Sequence, residues 1–224
     1  MRSSAASDVY KRQHSIWYFR AFDYVGVDRE TGAAQFRNHE GKIVASSELT
    51  DEDMTDIGSA IPKFTYGITL NLEYKGFDFT AFGTGVAGNK IFNILYRADS
   101  PLRNSLKYYM DNAWTPENKG ASMPAVNNVA TDLNFWSSSA AMFNGSYFKI
   151  KQLQLGYTLP KRLTQKVAIK DLRFFVSLDD FFTFSNYPGM DPETATTGNN
   201  GGAGFDIGSY PTMKKCSFGA SFSF

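Results

Sequence analysis

Phe64-Thr65-Tyr66-Gly67-Ile68-Thr69-Leu70-Asn71-Leu72-Glu73-Tyr74-Lys75 alternates between two kinds of residue along its whole length. Phe64, Tyr66, Ile68, Leu70, Leu72 and Tyr74 share one parity. Thr65, Gly67, Thr69, Asn71, Glu73 and Lys75 share the other. Successive strand side chains point to opposite faces, so this spacing predicts a strand with one apolar and one polar face. Rings stand at both ends of the apolar face and aliphatic residues between them. That order is expected of a lipid-facing strand, with rings at the two interfaces of the bilayer. Lys75-Gly76 predicts a tight turn, and Phe77, Phe79 and Ala81 begin the partner strand. In an outer-membrane barrel such short turns lie on the periplasmic side.

The C-terminus repeats the pattern. Phe218, Ala220, Phe222 and Phe224 share a parity, opposite Ser217, Gly219, Ser221 and Ser223. A soluble protein seldom ends on an exposed Phe of such a strand, whereas a barrel with a lipid-facing and a lumen-facing side does. Phe218, Phe222 and Phe224 are therefore expected to form a terminal aromatic signal for barrel assembly. Leu172, Phe174, Val176 and Leu178 predict a further apolar face on a strand that runs to about Phe184.

The chain has 224 residues, 23 Lys plus Arg against 22 Asp plus Glu, and a formal net charge of +1. That balance gives no basic stripe for a nucleic-acid partner. Aromatics make up 16% of the chain, yet the mean hydropathy is −0.32. Many rings with a hydrophilic average fit a barrel in which half of each strand meets water, and fit a soluble β-sandwich too. The single Cys216 excludes an intrachain disulfide framework. Residues 1–13 lack the apolar core of a secretory signal and resemble a translated sequencing adaptor, with a disordered tail as the alternative. The expected division is thus 1–13 as a non-native or disordered segment and 14–224 as barrel.

Between the strands, Asp28-Arg29-Glu30-Thr31-Gly32 predicts a turn after a strand in 15–27. The acidic stretch 38–60 has loop composition, without the oxygen-ligand spacing of a calcium loop. Gly83, Gly85 and Gly88 lack the ending of a phosphate loop and predict a strand bend. Residues 91–109 suggest a short helix inside a long loop, 114–139 a turn-rich loop, and 186–209 another long loop. Lys149 and Lys151 share a parity with Leu153, Leu155 and Tyr157. Either the apolar face covers only part of this strand, or a bulge shifts the register.

No catalytic, metal or cofactor site is expected. His14 and His39 are the only histidines, and no Gly-x-Ser-x-Gly elbow is present. Asp179 and Asp180 would point to opposite faces of a strand and could not flank one glycoside. Trp114 and Tyr187 are the candidates for stacking on a ligand, against the plainer role of anchoring or loop packing.

Five motifs in order add a resemblance. They are Phe64–Gly67 with Glu73–Phe79, Trp114–Asn118, Tyr147–Pro160, Phe182–Phe184 with Tyr187–Glu193, and Tyr210-Pro211 with the terminal Phe. Together these resemble the SusC/RagA-like TonB-dependent outer-membrane transporters of Bacteroidetes, over roughly 15–224. Asp180 stands where that family usually has Asn, Cys216 departs from it, and the 38–42 loop lacks its usual Asp/Asn/Gly run. The resemblance implies an all-β, antiparallel transmembrane barrel of about 22 strands with a plugged lumen and long extracellular loops. This chain would supply its C-terminal strands. It also implies energy-coupled import of oligosaccharides or peptides across the outer membrane. The expected partners are a SusD-like surface lipoprotein, TonB acting through an N-terminal plug, the barrel-assembly machinery and outer-membrane lipid. The alternatives are a small self-contained barrel (porin or adhesin) and a soluble carbohydrate-binding β-sandwich.

Overall fold

The computed structural model describes residues 17–94, 107–164, 169–197 and 203–224. The expectation for 1–13, and His14, lie outside the described residues. The strands are β1 (Tyr18–Val27), β2 (Ala34–Arg37), β3 (Ile43–Ala45), β4 (Met54–Ser59), β5 (Phe64–Tyr74), β6 (Phe77–Ala87), β7 (Lys90–Asn93), β8 (Met142–Asn144), β9 (Tyr147–Thr158), β10 (Asp171–Ser185), β11 (Phe205–Asp206) and β12 (Lys215–Ser223). The short helices are α1 (Lys107–Asn112), α2 (Val126–Val129), α3 (Leu133–Trp136), α4 (Lys161–Thr164) and α5 (Pro192–Thr197). The chain divides into two compact units. One draws on 1–62, 88–145 and 187–210, the other on 63–87, 146–186 and 211–224.

The second unit is a single antiparallel sheet in the order β12-β10-β9-β6-β5. Its β5–β6 hairpin turns on Lys75 (φ 46°) and Gly76 (φ 85°). Positive φ at both central residues makes the type I′ turn whose twist matches the flanking strands. The register then runs unbroken from Phe64↔Ala87 to Tyr74↔Phe77.

Gly83 and Gly85 do not bend β6; both lie in the ladder. Their missing side chains make room for rings from the neighbouring strands. A Cβ on Gly83 would stand 2.6 Å from Phe148 Cζ, and one on Gly85 would stand 2.5 Å from Tyr66 Cζ and 2.7 Å from the Tyr147 carbonyl. Over this floor Phe64, Tyr66, Phe148 and Phe184 form a stacked row, with successive centroids 5.5, 5.9 and 6.4 Å apart.

The first unit holds more structure than its composition suggests. The 38–60 stretch, expected to be loop, supplies β3 and β4, which complete the sheet β3-β2-β1-β4. Its polar residues gave no period-two signal because the pairing is non-local: Arg20↔Asp56 and Phe22↔Met54 span the loop. The turn at 28–32 is as expected, with Asp28 Oδ1 accepting the Glu30 and Thr31 N–H groups and the Thr31 hydroxyl. Phe22, Phe36, Met123, Val129, Phe135 and Trp136 are buried together, so 114–139 supplies core as well as turns. A second cluster of Ile91, Tyr187 and Ala195 lies by the small sheet β11-β7-β8.

Replacing Gly85 by Val forces a branched side chain against Tyr66 and the Tyr147 carbonyl. Overpacking of this kind costs about 1–3 kcal/mol. The urea midpoint of the protein should fall accordingly, and an unchanged midpoint would contradict the ring-seat role.

Candidate functional site

Cross-strand partners share a face, so the pairing of the five-stranded sheet assigns every ladder residue to one of two surfaces. One surface gathers Phe64, Tyr66, Ile68, Leu70, Leu72 and Tyr74 of β5 with Phe77, Phe79 and Ala81 of β6. Tyr157, Leu155 and Leu153 of β9 continue it, then Phe174, Val176 and Leu178 of β10, and Phe222, Ala220 and Phe218 of β12. Leu172 joins it opposite Phe222. This surface is apolar from edge to edge. Much of it is open: Phe64, Ile68, Leu70, Leu72, Tyr74 and Phe174 are all exposed. In water each such side chain forgoes ~1.5–3 kcal/mol of burial.

The terminal residues belong to the same surface. Phe218 is 82% and Phe224 87% exposed, and the Phe222 ring meets Phe224 edge-on at 5.5 Å. Cys216 stands opposite Leu178 on this face.

Rings cluster at its two ends, Phe64, Tyr66, Phe148 and Phe184 at one and Tyr74, Phe77 and Tyr157 at the other, with Phe77 and Tyr157 centroids 4.5 Å apart. From Tyr66 to Tyr74 the strand advances about 27 Å at ~3.4 Å per residue. Tilted as barrel strands are, that approaches the ~25 Å apolar band of an outer-membrane wall.

The opposite surface is mainly polar, with Phe82 and Phe175 as apolar exceptions. It carries Thr69, Asn71 and Glu73, Asp78 and Thr80, Gln152 and Gln154, Arg173 and Ser177, then Ser217 and Ser221. Arg173 grips Asp78 with two bonds, Nε to Oδ1 at 2.9 Å and Nη2 to Oδ2 at 2.5 Å. The two residues come from strands on either side of β9, and Gly156 lies between them. A side chain at Gly156 would collide with both partners. Nothing in the sequence signals this pair, since its partners are far apart in the chain and the room between them is left by a glycine.

Lys149 is 1% exposed, and its Nζ lies 3.1 Å from Thr212 Oγ1. It pairs with Thr84 and Thr183 on the polar surface, so the apolar parity of β9 changes at a bulge beside Lys151. Of the two alternatives left open by the sequence, the bulge is the one found. Asp180 is likewise outside regular strand geometry, so the expectation that Asp179 and Asp180 simply alternate faces does not hold.

The two ring candidates for ligand contact separate. Tyr187 is 7% exposed and packs edge-on against Phe143 at 6.0 Å. Its hydroxyl donates to Asp206 and accepts from Asn93 Nδ2 at 3.2 Å. Burial, together with the Asp206 contact, pushes the phenol well above its usual range. The ring is thus core and does not serve as the expected ligand-stacking surface, because position in a loop does not report burial. Trp114 keeps partial exposure, but its indole N–H donates to the Arg29 carbonyl at 3.0 Å and its ring lies against Gly32.

In the first unit the Asp53 carboxylate is buried and accepts four bonds. These come from the His39 N–H (2.9 Å), His39 Nδ1 (2.6 Å), the Thr50 N–H (2.8 Å) and the Thr50 hydroxyl (3.0 Å). The backbone N–H groups of His39 and Thr50 hold Asp53 far below the usual carboxylate range, and the bond to Asp53 raises His39.

No protein-family model matches the chain. Among curated proteins it is 29% identical to TonB-dependent receptor P3 of Formosa agariphila, over 97% of this chain and 23% of that protein. It is 25% identical to TonB-dependent receptor P26 of the same organism, over 86% of this chain and 20% of that protein. The chain is similar to a segment of these receptors. It spans about a quarter or less of the length of these relatives. Its fold matches that of the RagAB peptide importer in an "open-open" state, with a TM-score of 0.72 at 23% identity over 92% of this chain and 22% of that one. A second structure, of the RagAB peptide transporter, gives 0.72 at 24% identity over 92% and 23%. The two-faced sheet is therefore of the kind found in barrel transporters.

The His39–Asp53 contact carries a pH signature. The contribution of His39 is complete below about pH 6.5 and is lost as pH rises through its raised folded value. The contribution of Asp53 is complete above about pH 3.9 and is lost as pH falls through its lowered folded value. NMR titration should place the His39 midpoint above the usual imidazole value, and Asp53→Asn should return it there. A normal midpoint in the unmodified protein would contradict the contact.

Proposed function

We propose that this chain forms part of the barrel wall of an energy-coupled nutrient importer in the outer membrane. The observation that carries the reading is the apolar, largely exposed surface that crosses all five strands of one sheet and backs onto a polar surface. Lipid satisfies the first surface and a water-filled or plugged lumen the second. A β-sandwich would instead cover the apolar surface with a second sheet, leaving Phe64, Leu72 and Phe218 buried. Similarity to the TonB-dependent receptors supports coupling to TonB through a plug. The RagAB likeness supports docking of a SusD-like lipoprotein above the barrel.

On this reading Phe64, Tyr66, Ile68, Leu70, Leu72, Tyr74, Leu172, Phe174, Val176 and Leu178 face lipid. The cargo is an oligosaccharide or a peptide, and Trp114 is the remaining ring candidate for contacting it.

Deleting the gene from its native host should abolish growth on one of two sole nutrient sources, a protein digest or a glycan mixture. A protonophore should abolish the same uptake in the unmodified strain. Growth unaffected on both sources would refute the importer reading, and the source that fails identifies the cargo class.

Phe218, Phe222 and Phe224 serve as the signal read by the assembly machinery. Removing Phe224 from the full-length protein should reduce its surface level at least tenfold, measured by surface biotinylation. Normal surface levels would refute that role.

A further inference from the structure

Lys149, Lys151 and Asp180 are the charged residues of β9 and β10 that an uninterrupted ladder would set on the apolar surface. Lys149 and Lys151 have the parity of Leu153 and Leu155, and Asp180 that of Val176 and Leu178. In the structure the register passes over Lys151 and Asp180. Gln152 stands opposite Phe82 and Asp179, and the next residues in register are Ile150 opposite Gly83 and Phe182. The skip in β9 is one residue, so Ile150 and Phe148 take over the apolar surface and Lys149 moves to the polar one. The skip in β10 is two residues, Asp180 and Phe181, so parity is retained and Phe182 and Phe184 stay on the apolar surface.

One backbone conformation and two contacts accompany this arrangement. Asp180 has φ 57°, in the left-handed region that Asp and Asn enter more readily than other non-glycine residues. Lys151 Nζ lies 2.9 Å from Asp180 Oδ1, with both side chains mostly shielded. The Lys214 ammonium sits 5.9 Å from the centre of the Phe181 ring, the other residue left out of register.

We propose that the Lys151–Asp180 ion pair is a register lock for the last strands of the wall. Joining the two residues outside the ladder keeps the β9 bulge and the β10 bulge aligned. The competing state is the regular ladder, in which Phe148 faces Thr183 instead of Phe184, Lys149 enters the apolar surface, and Lys151 and Asp180 stand opposite each other on that surface, where lipid cannot solvate the pair. Strand register is set by such patterns, and a one-residue slip exchanges the faces of everything beyond it.

Disulfide trapping reads the register directly. The full-length protein is expressed in its native host with Cys216→Ser, and isolated membranes are oxidised with copper phenanthroline. The pair Phe148→Cys/Phe184→Cys reports the observed register, and Phe148→Cys/Thr183→Cys reports the regular ladder. Gln154→Cys/Ser177→Cys, opposite each other on the other side of the bulges, reports folding of the strands. In Lys151→Met/Asp180→Leu the first yield should fall at least threefold and the second should rise, with the third unchanged. An unchanged first yield would overturn the lock.

If the third yield is lost as well, that variant has not assembled, and Asp180→Asn alone decides. It keeps the left-handed tolerance and removes only the charge. Its first yield must fall at least twofold, and an unchanged yield overturns the lock. The inference rests on the proposed reading, because lipid is what makes lysine on that surface costly. Fractionation of the same samples separates the two: protein absent from the outer membrane overturns the reading, whereas embedded protein with an unmoved register overturns the lock alone.

Discussion

Holding one surface apolar across five strands is the constraint on which the rest of this sheet depends. Strand side chains repeat every two residues, so any slip of one residue turns the surface inside out. The sequence meets this demand with uninterrupted alternation in β5 and β12. The middle strands need more. In β6, Gly83 and Gly85 continue the face without bulk, so rings from β5 and β9 can cross over it. In β9 and β10, charged residues of the wrong parity are passed over by bulges, and alternation resumes beyond them.

The polar surface obeys the opposite demand. Its charges are held by specific partners: Arg173 by Asp78 across Gly156, and Lys149 beside Thr212. A shielded ion pair gains its attraction only when geometry and desolvation allow. The two parallel bonds of Arg173 provide that geometry, and Gly156 provides the clearance. A wall that is apolar outside and carries fixed charge inside suits a barrel whose interior is hydrated or occupied by a plug. The first unit contributes a different property, an aromatic core with buried polar anchors such as Asp53 and the Tyr187–Asp206–Asn93 group. Segments built this way hold a defined shape.

Much of the sheet was legible because alternation is a local signal. β5, the turn at Lys75-Gly76, the start of β6 and the closing strand follow from parity alone. The clash of Lys149 and Lys151 with Leu153 left the bulge as one of two readings. What was not legible depends on partners distant in the chain. β4 pairs with β1 through polar residues that show no period. Gly83 and Gly85 look like a bend until the rings of Tyr66 and Phe148 are seen above them. Tyr187 looks like a loop aromatic until Phe143 and Asp206 are seen around it. The Asp78–Arg173 pair has no sequence signature, because its spacing is set by sheet order.

The most direct test of the two-faced wall is a spin-label accessibility scan along 64–74 in the full-length protein reconstituted in liposomes. Oxygen partitions into lipid and a nickel chelate stays in water. Labels at Phe64, Tyr66, Ile68, Leu70, Leu72 and Tyr74 should favour oxygen, and labels at the intervening positions should favour the nickel chelate or be shielded from both. Accessibility without a period of two, or nickel access to both parities, would contradict a lipid-facing wall.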